Sequence, residues 1–420
     1  MKYLAVLGRQ PEISIAELEA IYGGVERVSD VLVYFTLTGD DSGRGPQNVL
    51  RSKNFGEGEE SAGPVESINR LGGVLKLAVV LDQKPLEYLQ NLSDGKITIG
   101  VSDYSEKASR KSAQQEALKL KKILVRHGRS VRVVENKDAT LSTATSLHNG
   151  LSGKNERKVE LIKVDDDWYR VIGVQDIDFY AKRDQARPAR DARVGMLPPK
   201  LAQILINLCG PLKSGSVVLD PFCGTGVVLQ EALLMGYRVY GTDISDRMVE
   251  YSRKNLNWLV RDKNSHFEGV RSLARRGVAP AARGDGPAGR APKNVLFYLS
   301  AGDAISYTWQ QPIDAVACEG YLGKPFPRIP TEMELKEQKQ ECGAIVRGFL
   351  KHLAEQIKSG TPVVIAAPAW LRENGEYERL DMLDDIPDMG YNVNNKTQEG
   401  LLYHRDGQVV ARDILILRKK

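Results

Sequence analysis

The sequence predicts a multidomain α/β chain whose C-terminal half is an open, doubly wound, mostly parallel sheet. Three observations point there. Residues 216–226 read Ser-Val-Val-Leu-Asp-Pro-Phe-Cys-Gly-Thr-Gly, a short apolar run entering a glycine turn. From Pro211 onward, strand-like and helix-like segments alternate in the order that builds a Rossmann-like parallel sheet. Ahead of them lie two smaller α/β patterns, separated by a stretch rich in Gly, Ser, Asp and Glu.

Within the first pattern, residues 1–64, Lys2–Leu7 is predicted as a strand, Ile15–Tyr22 as a helix entered through Pro11 and Ser14, and Val31–Leu37 as a strand. This reads as a ferredoxin-like part. Residues 39–64 offer few apolar anchors and are predicted to be a disordered excursion. The second pattern, residues 65–174, carries predicted strands at Lys96–Val101, Ser130–Val134, Val159–Val164 and Trp168–Val174. An amphipathic helix is predicted at Ala108–His127 and a further helix at Ala144–Leu151. Asp165-Asp166-Asp167 makes a hairpin turn of the last two strands.

Residues 175–210 read as a linker, rich in Arg and Pro from Asp176 to Lys200 and feeding a helix at Leu201–Leu208. In the remaining domain, 211–420, strands are predicted near 216–219, 237–242, 295–300, 313–318 and 361–367. Gly400–His404 and Val409–Leu417 form a closing antiparallel hairpin. Arg261–Lys293, rich in Arg, Gly, Ala and Pro, interrupts this domain. It is either a flexible segment without a role or a basic arm that grips RNA.

Composition bounds the function. A chain of 420 residues with 42% hydrophobic and 27% charged residues is of the globular class. No apolar run approaches the roughly 18 residues of a membrane span, and no signal-peptide pattern opens the chain, so a cytoplasmic protein without membrane partners is expected. Cys209, Cys223, Cys318 and Cys342 lack CxxC spacing and are expected as reduced thiols; the histidines are scattered, so no metal site is expected.

The glycine turn carries the clearest chemistry. Gly224 and Gly226 let the chain turn sharply from a strand ending at Asp220 into a helix starting near Val227. Free backbone N–H groups and a helix N-terminus then face the carboxyl edge of the sheet, where such folds bind ligands. The carboxylate of S-adenosylmethionine suits that cradle. Asp220, Pro221, Phe222, Cys223, Gly224, Thr225 and Gly226 are therefore candidate cofactor residues. Asp243 ends the next strand, placed to accept from both ribose hydroxyls, and Ile244 follows it. Asp303, with Ala304, follows the third strand beside the expected adenine; an ordinary turn aspartate is the other reading.

Glu319 and Tyr321 follow the fourth strand. An exocyclic amine is a poor nucleophile because its lone pair is delocalised into the ring. An acceptor that orients its N–H groups, and an aromatic surface for a flipped base, answer that difficulty, and Glu319 and Tyr321 are the candidates. Cys318 sits in an apolar strand and is expected to be structural. Net charge is +5, but basic residues cluster: Lys107, Arg110, Lys111, Lys121, Lys122, Arg126 and Arg129, then Arg183, Arg187 and Arg190. They are either solvated faces or a surface that tracks nucleic-acid phosphates.

On these residues the chain resembles the THUMP-containing tRNA guanine-N2-methyltransferases, the archaeal and eukaryotic type that modifies guanosine at position ten. The resemblance rests on Asp220–Gly226, on Tyr3–Gly8 with Ile15–Ala20, and on the connector around Arg187-Pro188 and Gly195–Ala202. It implies a class I methyltransferase sheet, a THUMP-like RNA-binding domain at 65–174, S-adenosylmethionine as cofactor and tRNA as partner. The family's fourth motif is usually Asp-Pro-Pro-Tyr, whereas this chain has Glu319-Gly320-Tyr321-Leu322. Two alternatives stand beside the implied activity: a DNA amino-methyltransferase, and a catalytically weak RNA-binding protein that retains the cofactor fold. No motif decides whether a small activator subunit takes part.

Overall fold

The computed structural model describes residues 2–36, 68–191, 197–261, 295–310 and 312–420. The expected excursion at 39–64, and the expected insertion near 261–293 beyond Arg261, lie outside them. The chain divides into two compact units, Met1–Ala181 and Lys182–Lys420.

In the first unit, β1 (Lys2–Leu7), β2 (Val25–Arg27) and β3 (Leu32–Thr36), with helix α1 (Pro11–Tyr22), precede β4 (Val74–Val80) and helix α2 (Pro85–Gln90). They are followed by β5 (Ile97–Asp103), helix α3 (Arg110–Arg126), β6 (Val131–Val133), helix α4 (Thr143–His148), β7 (Lys158–Val164) and β8 (Asp167–Val174). All eight strands join one sheet in the order β2-β3-β1-β4-β8-β7-β5-β6. This corrects the boundary expected at 64/65. β1 pairs antiparallel with β4 from Tyr3↔Val79 to Leu7↔Val74, and Leu4 and Val6 share a core with Ala78, Ile162 and Val171. Tyr3, Leu18 and Phe35 likewise share a core with Ile68, Leu77 and Ile172 from beyond that boundary.

Helix α3 forms because Ser109 and Ser112 cap each other reciprocally, and because Ala113, Ala117, Leu120 and Leu124 fall on one face. That face packs on Ile97, Ile99 and Val101 of β5 and Val159 and Leu161 of β7. Burial of Leu124 alone contributes about 2 kcal/mol. The β7–β8 turn is tighter than expected, with Val164 opposite Asp167 and Asp165 at φ 52°. Beneath the sheet, the Lys76 ammonium donates to Glu160 Oε1 at 2.5 Å and to the Leu141 carbonyl at 2.7 Å, with both side chains buried.

Helix α5 (Ile177–Gln185) occupies part of the expected linker, and helix α6 (Pro199–Leu208) begins on a proline at its first turn. The second unit continues with β9 (Val217–Asp220), helix α7 (Val227–Leu234), β10 (Arg238–Asp243), helix α8 (Asp246–Arg261), β11 (Phe297–Ala301) and β12 (Ala315–Glu319). Helix α9 (Glu332–Ala354), β13 (Pro362–Leu371), β14 (Tyr377–Glu378), β15 (Tyr391–Val393), helix α10 (Asn395–Glu399), β16 (Leu402–Tyr403) and β17 (Val410–Lys419) complete it. The sheet order is β11-β10-β9-β12-β13-β17-β15, with β9 to β13 parallel and β17 antiparallel to β13.

The expected closing hairpin is reduced to the two residues of β16, and β15 takes the sheet edge beyond β17. A three-residue strand carries little periodic signal. Tyr391 holds it: the ring is buried and its hydroxyl donates to the Leu350 carbonyl at 2.8 Å. Against this sheet α9 lays Leu335, Cys342, Val346, Phe349, Leu350 and Leu353 into a core with Val316, Ile365 and Leu415. All four cysteines are unpaired and buried. No helix among the described residues is long and apolar enough to cross a membrane.

Candidate active site

The central strand β9 runs between β10 and β12 and is fully buried up to Asp220. Beyond it, Gly224 (φ +50°) and Gly226 (φ +80°) make the turn into α7, which starts at Val227. Gly226 admits no side chain. A Cβ there would stand 2.8 Å from Ser252 Oγ and 3.2 Å from Ser252 Cα.

Three bonds brace the turn from outside. The Cys223 amide donates to the Thr242 carbonyl at 2.9 Å, Ser252 Oγ to the Gly224 carbonyl at 2.8 Å, and Asn255 Nδ2 to the Thr225 carbonyl at 2.8 Å. Cys223 and Cys318 are buried in this frame, and burial pushes both thiols well above their ordinary range. Each is structural.

Asp243 ends β10, and both carboxylate oxygens already accept backbone N–H groups: Oδ2 from Gly224 at 2.9 Å and Oδ1 from Ser245 at 2.9 Å. Each oxygen retains a lone pair. The side chain is thus fixed against the glycine turn with acceptor capacity left for two hydroxyls. Ile244 beside it is 75% exposed, an apolar surface at the mouth of the sheet edge. Asp303 spends its Oδ1 on the Ile305 amide at 3.1 Å, so one oxygen performs an ordinary turn role. Ala304 is buried in the core and offers only its main chain.

Asp220 is 2% exposed. Burial first, then the nearby charges of Asp243 and Glu319, push its carboxyl well above the usual range, while the Phe222 amide offsets part of this. Asp220, Asp243 and Glu319 thus gather at the ends of β9, β10 and β12.

Glu319 ends β12, beside β9. Its Oε1 accepts Nε of Arg412, on β17, at 2.6 Å. Sequence reasoning missed Arg412. The signal was an Arg-Asp pair inside the otherwise apolar run of β17. Gly320 donates its amide to the Ala366 carbonyl at 3.0 Å, and the Lys324 amide donates to Gln338 Oε1 at 2.7 Å, so the loop is clamped to β13 and α9. Tyr321 is half-buried on the core and its hydroxyl donates to Glu341 Oε1 at 3.3 Å. The ring is thereby anchored from below.

The basic residues divide sharply. Lys107, Arg110, Lys111, Lys122 and Arg126 are exposed on or just before α3. Half-buried Lys121, with Arg110, Lys96 and Arg132, lines a groove of about 570 Å³. Arg129 is different: it donates to the Leu92 and Ser93 carbonyls at 3.0 and 2.7 Å and pairs with Asp94. Arg183 and Arg187 also correct the expectation of a phosphate-binding role. Arg183 is 2% exposed and grips both oxygens of buried Glu231, at 2.7 and 3.1 Å. Arg187 is 4% exposed, between Asp184 and Thr225 of the glycine turn. Arg190 remains exposed.

Residues 187–272 match the family model described as RMKL-like, methyltransferase domain, so the second unit carries a methyltransferase domain. A tRNA (guanine(10)-N2)-dimethyltransferase of Methanothermobacter thermautotrophicus is 50% identical over 95 residues, 22% of this chain and 27% of that protein. The alignment thus spans about a quarter of that relative's length. A protein of the same name from Methanocaldococcus jannaschii is 28% identical over 258 residues, 59% of this chain and 68% of that one. Among solved structures, TrmN from Thermus thermophilus aligns over 100% of both chains with 15% identity and a TM-score of 0.45.

Proposed function

We propose that this chain is a cytoplasmic, S-adenosylmethionine-dependent tRNA methyltransferase acting on the exocyclic N2 of a guanosine. The observation that carries the reading is Glu319, a carboxylate held by Arg412 at the end of β12, one strand from the glycine turn. The names of the two archaeal relatives support guanosine N2 in tRNA as the target.

The donor set fits the cofactor. Asp243 suits its ribose and Ile244 its adenine, beside a glycine turn whose Gly224 and Gly226 amides are already donated to Asp243 Oδ2 and to the Cys223 carbonyl. When bound, S-adenosylmethionine supplies an electrophilic methyl group on a sulfonium. Glu319 then accepts an N–H of the target amine, turning its lone pair out of conjugation and drawing off the charge that develops on nitrogen. Tyr321, anchored by Glu341, offers its ring to the base. Arg412 keeps the acid oriented, so positioning is supplied before the base arrives.

The test is direct: unmodified tRNA transcripts and duplex DNA are incubated with methyl-labelled cofactor, and digested nucleosides are identified by mass spectrometry. N2-methylated guanosine from tRNA is expected. Label in DNA, or cofactor binding without transfer to any RNA, overturns the reading.

The exposed face of α3 is the tRNA-binding surface in this proposal. Reversing Lys111 and Lys122 together to glutamate is expected to weaken tRNA binding at every sequence. The slope of log affinity against log salt should fall by about 0.9 for each phosphate no longer neutralised. Filter binding across a salt series checks it; an unchanged slope excludes that face.

A further inference from the structure

We infer that Arg412 reads the target base directly, donating to the ring-nitrogen acceptor beside the amine that Glu319 holds. The inference rests on the guanine-N2 reading above. Arg412 lies opposite Pro368 in the β17–β13 register, and Glu319 lies opposite Ala366, so both stand at the carboxyl edge of the sheet. Their side chains are 7% and 17% exposed, and Nε to Oε1 is 2.6 Å.

Only that edge of each group is used. Among the described residues, neither terminal nitrogen of Arg412 has a hydrogen-bond partner, nor does Glu319 Oε2, and none of the three is sealed from solvent. Arg379, also on an acid of β17, contrasts with this: its Nε is on Asp413 at 2.7 Å and a terminal nitrogen on the Thr397 carbonyl at 2.7 Å. Arg379 is locked on both edges, as a purely structural guanidinium should be. A nearly buried guanidinium with its terminal donors open awaits an acceptor.

The pair therefore presents an acceptor, Glu319 Oε2, next to a row of donors on Arg412. The complementary ligand has an amine with an acceptor on the adjoining ring atom. In guanine, N2 is flanked by N1–H, which donates, and N3, which accepts. Arginine can only donate, so Arg412 takes N3 while Glu319 takes N2–H. Glutamate is one methylene longer than aspartate, and Gly320 contributes no ring to stiffen the loop; the guanidinium supplies that rigidity while reading the base.

The test uses the full chain and tRNA carrying guanosine or 3-deazaguanosine at the target position; the analogue keeps the amine and lacks N3. Arg412→Met is expected to lower kcat/KM roughly 10- to 100-fold on the guanosine tRNA. Wild type should lose a similar factor on the 3-deaza tRNA, and Arg412→Met should lose nothing more. Arg412→Lys, which keeps the charge but not the fork, should bind cofactor normally by calorimetry and still fail to discriminate the two tRNAs. A wild-type protein active on N2 and indifferent to the 3-deaza change overturns this inference alone, as does discrimination retained in Arg412→Lys. A wild-type protein that leaves guanosine N2 unmethylated overturns the functional reading, and the inference with it.

Discussion

Replacing Glu319 by glutamine is expected to slow methyl transfer to tRNA by about 10²- to 10³-fold, the usual cost of one preorganised charge-stabilising group, with cofactor affinity unchanged. Glutamine keeps the length of the side chain and an oxygen for Arg412 Nε, so the 2.6 Å contact has a neutral counterpart. What disappears is the negative charge that compensates nitrogen as it turns cationic. Because Glu319 and Asp243 lie at the ends of different strands, β12 and β10, the carboxylate proposed for the ribose is untouched. Single-turnover rates with saturating cofactor, alongside calorimetry, separate the two effects. Transfer at the wild-type rate in Glu319→Gln removes the acid from the chemistry. Glu319→Ala is the less informative change, since it also strands a guanidinium that is 7% exposed.

The difference between what could and could not be read in the chain follows from sequence separation. The glycine turn is local, and the expected helix start at Val227 is the observed one. Asp243 was legible because a parallel strand places its last residue at a set distance from the turn. Arg412 and Glu319 are 93 positions apart, and they meet only because β17 runs antiparallel beside β13. No local pattern encodes that register. The merging of the N-terminal strands has the same cause: β1 and β4 pair across a stretch whose composition suggested a boundary. Arginines in the connector misled for another reason. A cation in a Pro-rich, polar segment looks solvated until the glutamate that buries it is known, and Glu231 sits in an apolar helix 48 positions away.

That pair sets the second large effect. Arg183→Met is expected to destabilise the second unit by about 3–5 kcal/mol, because it leaves the Glu231 carboxylate buried without its cation. Burial already raises the Glu231 carboxyl, with Arg183 the main opposing influence. At roughly 2–4 °C per kcal/mol for a domain of this size, the thermal transition of this unit should fall by on the order of 10 °C. The double change Arg183→Met with Glu231→Leu should recover most of the loss, since an apolar pair of similar volume needs no compensation. A phosphate-contacting Arg183 gives the opposite pattern: little change in melting, weaker tRNA binding, and a shallower salt slope. Calorimetric melting of the three variants beside their tRNA salt series distinguishes these outcomes. The geometry commits to the first, because both oxygens of Glu231 lie within 3.1 Å of guanidinium nitrogens that a phosphate would otherwise need. The segment around Arg183 and Arg187 thus acts on the methyltransferase fold from within, Arg183 through α7 and Arg187 through Thr225 of the glycine turn.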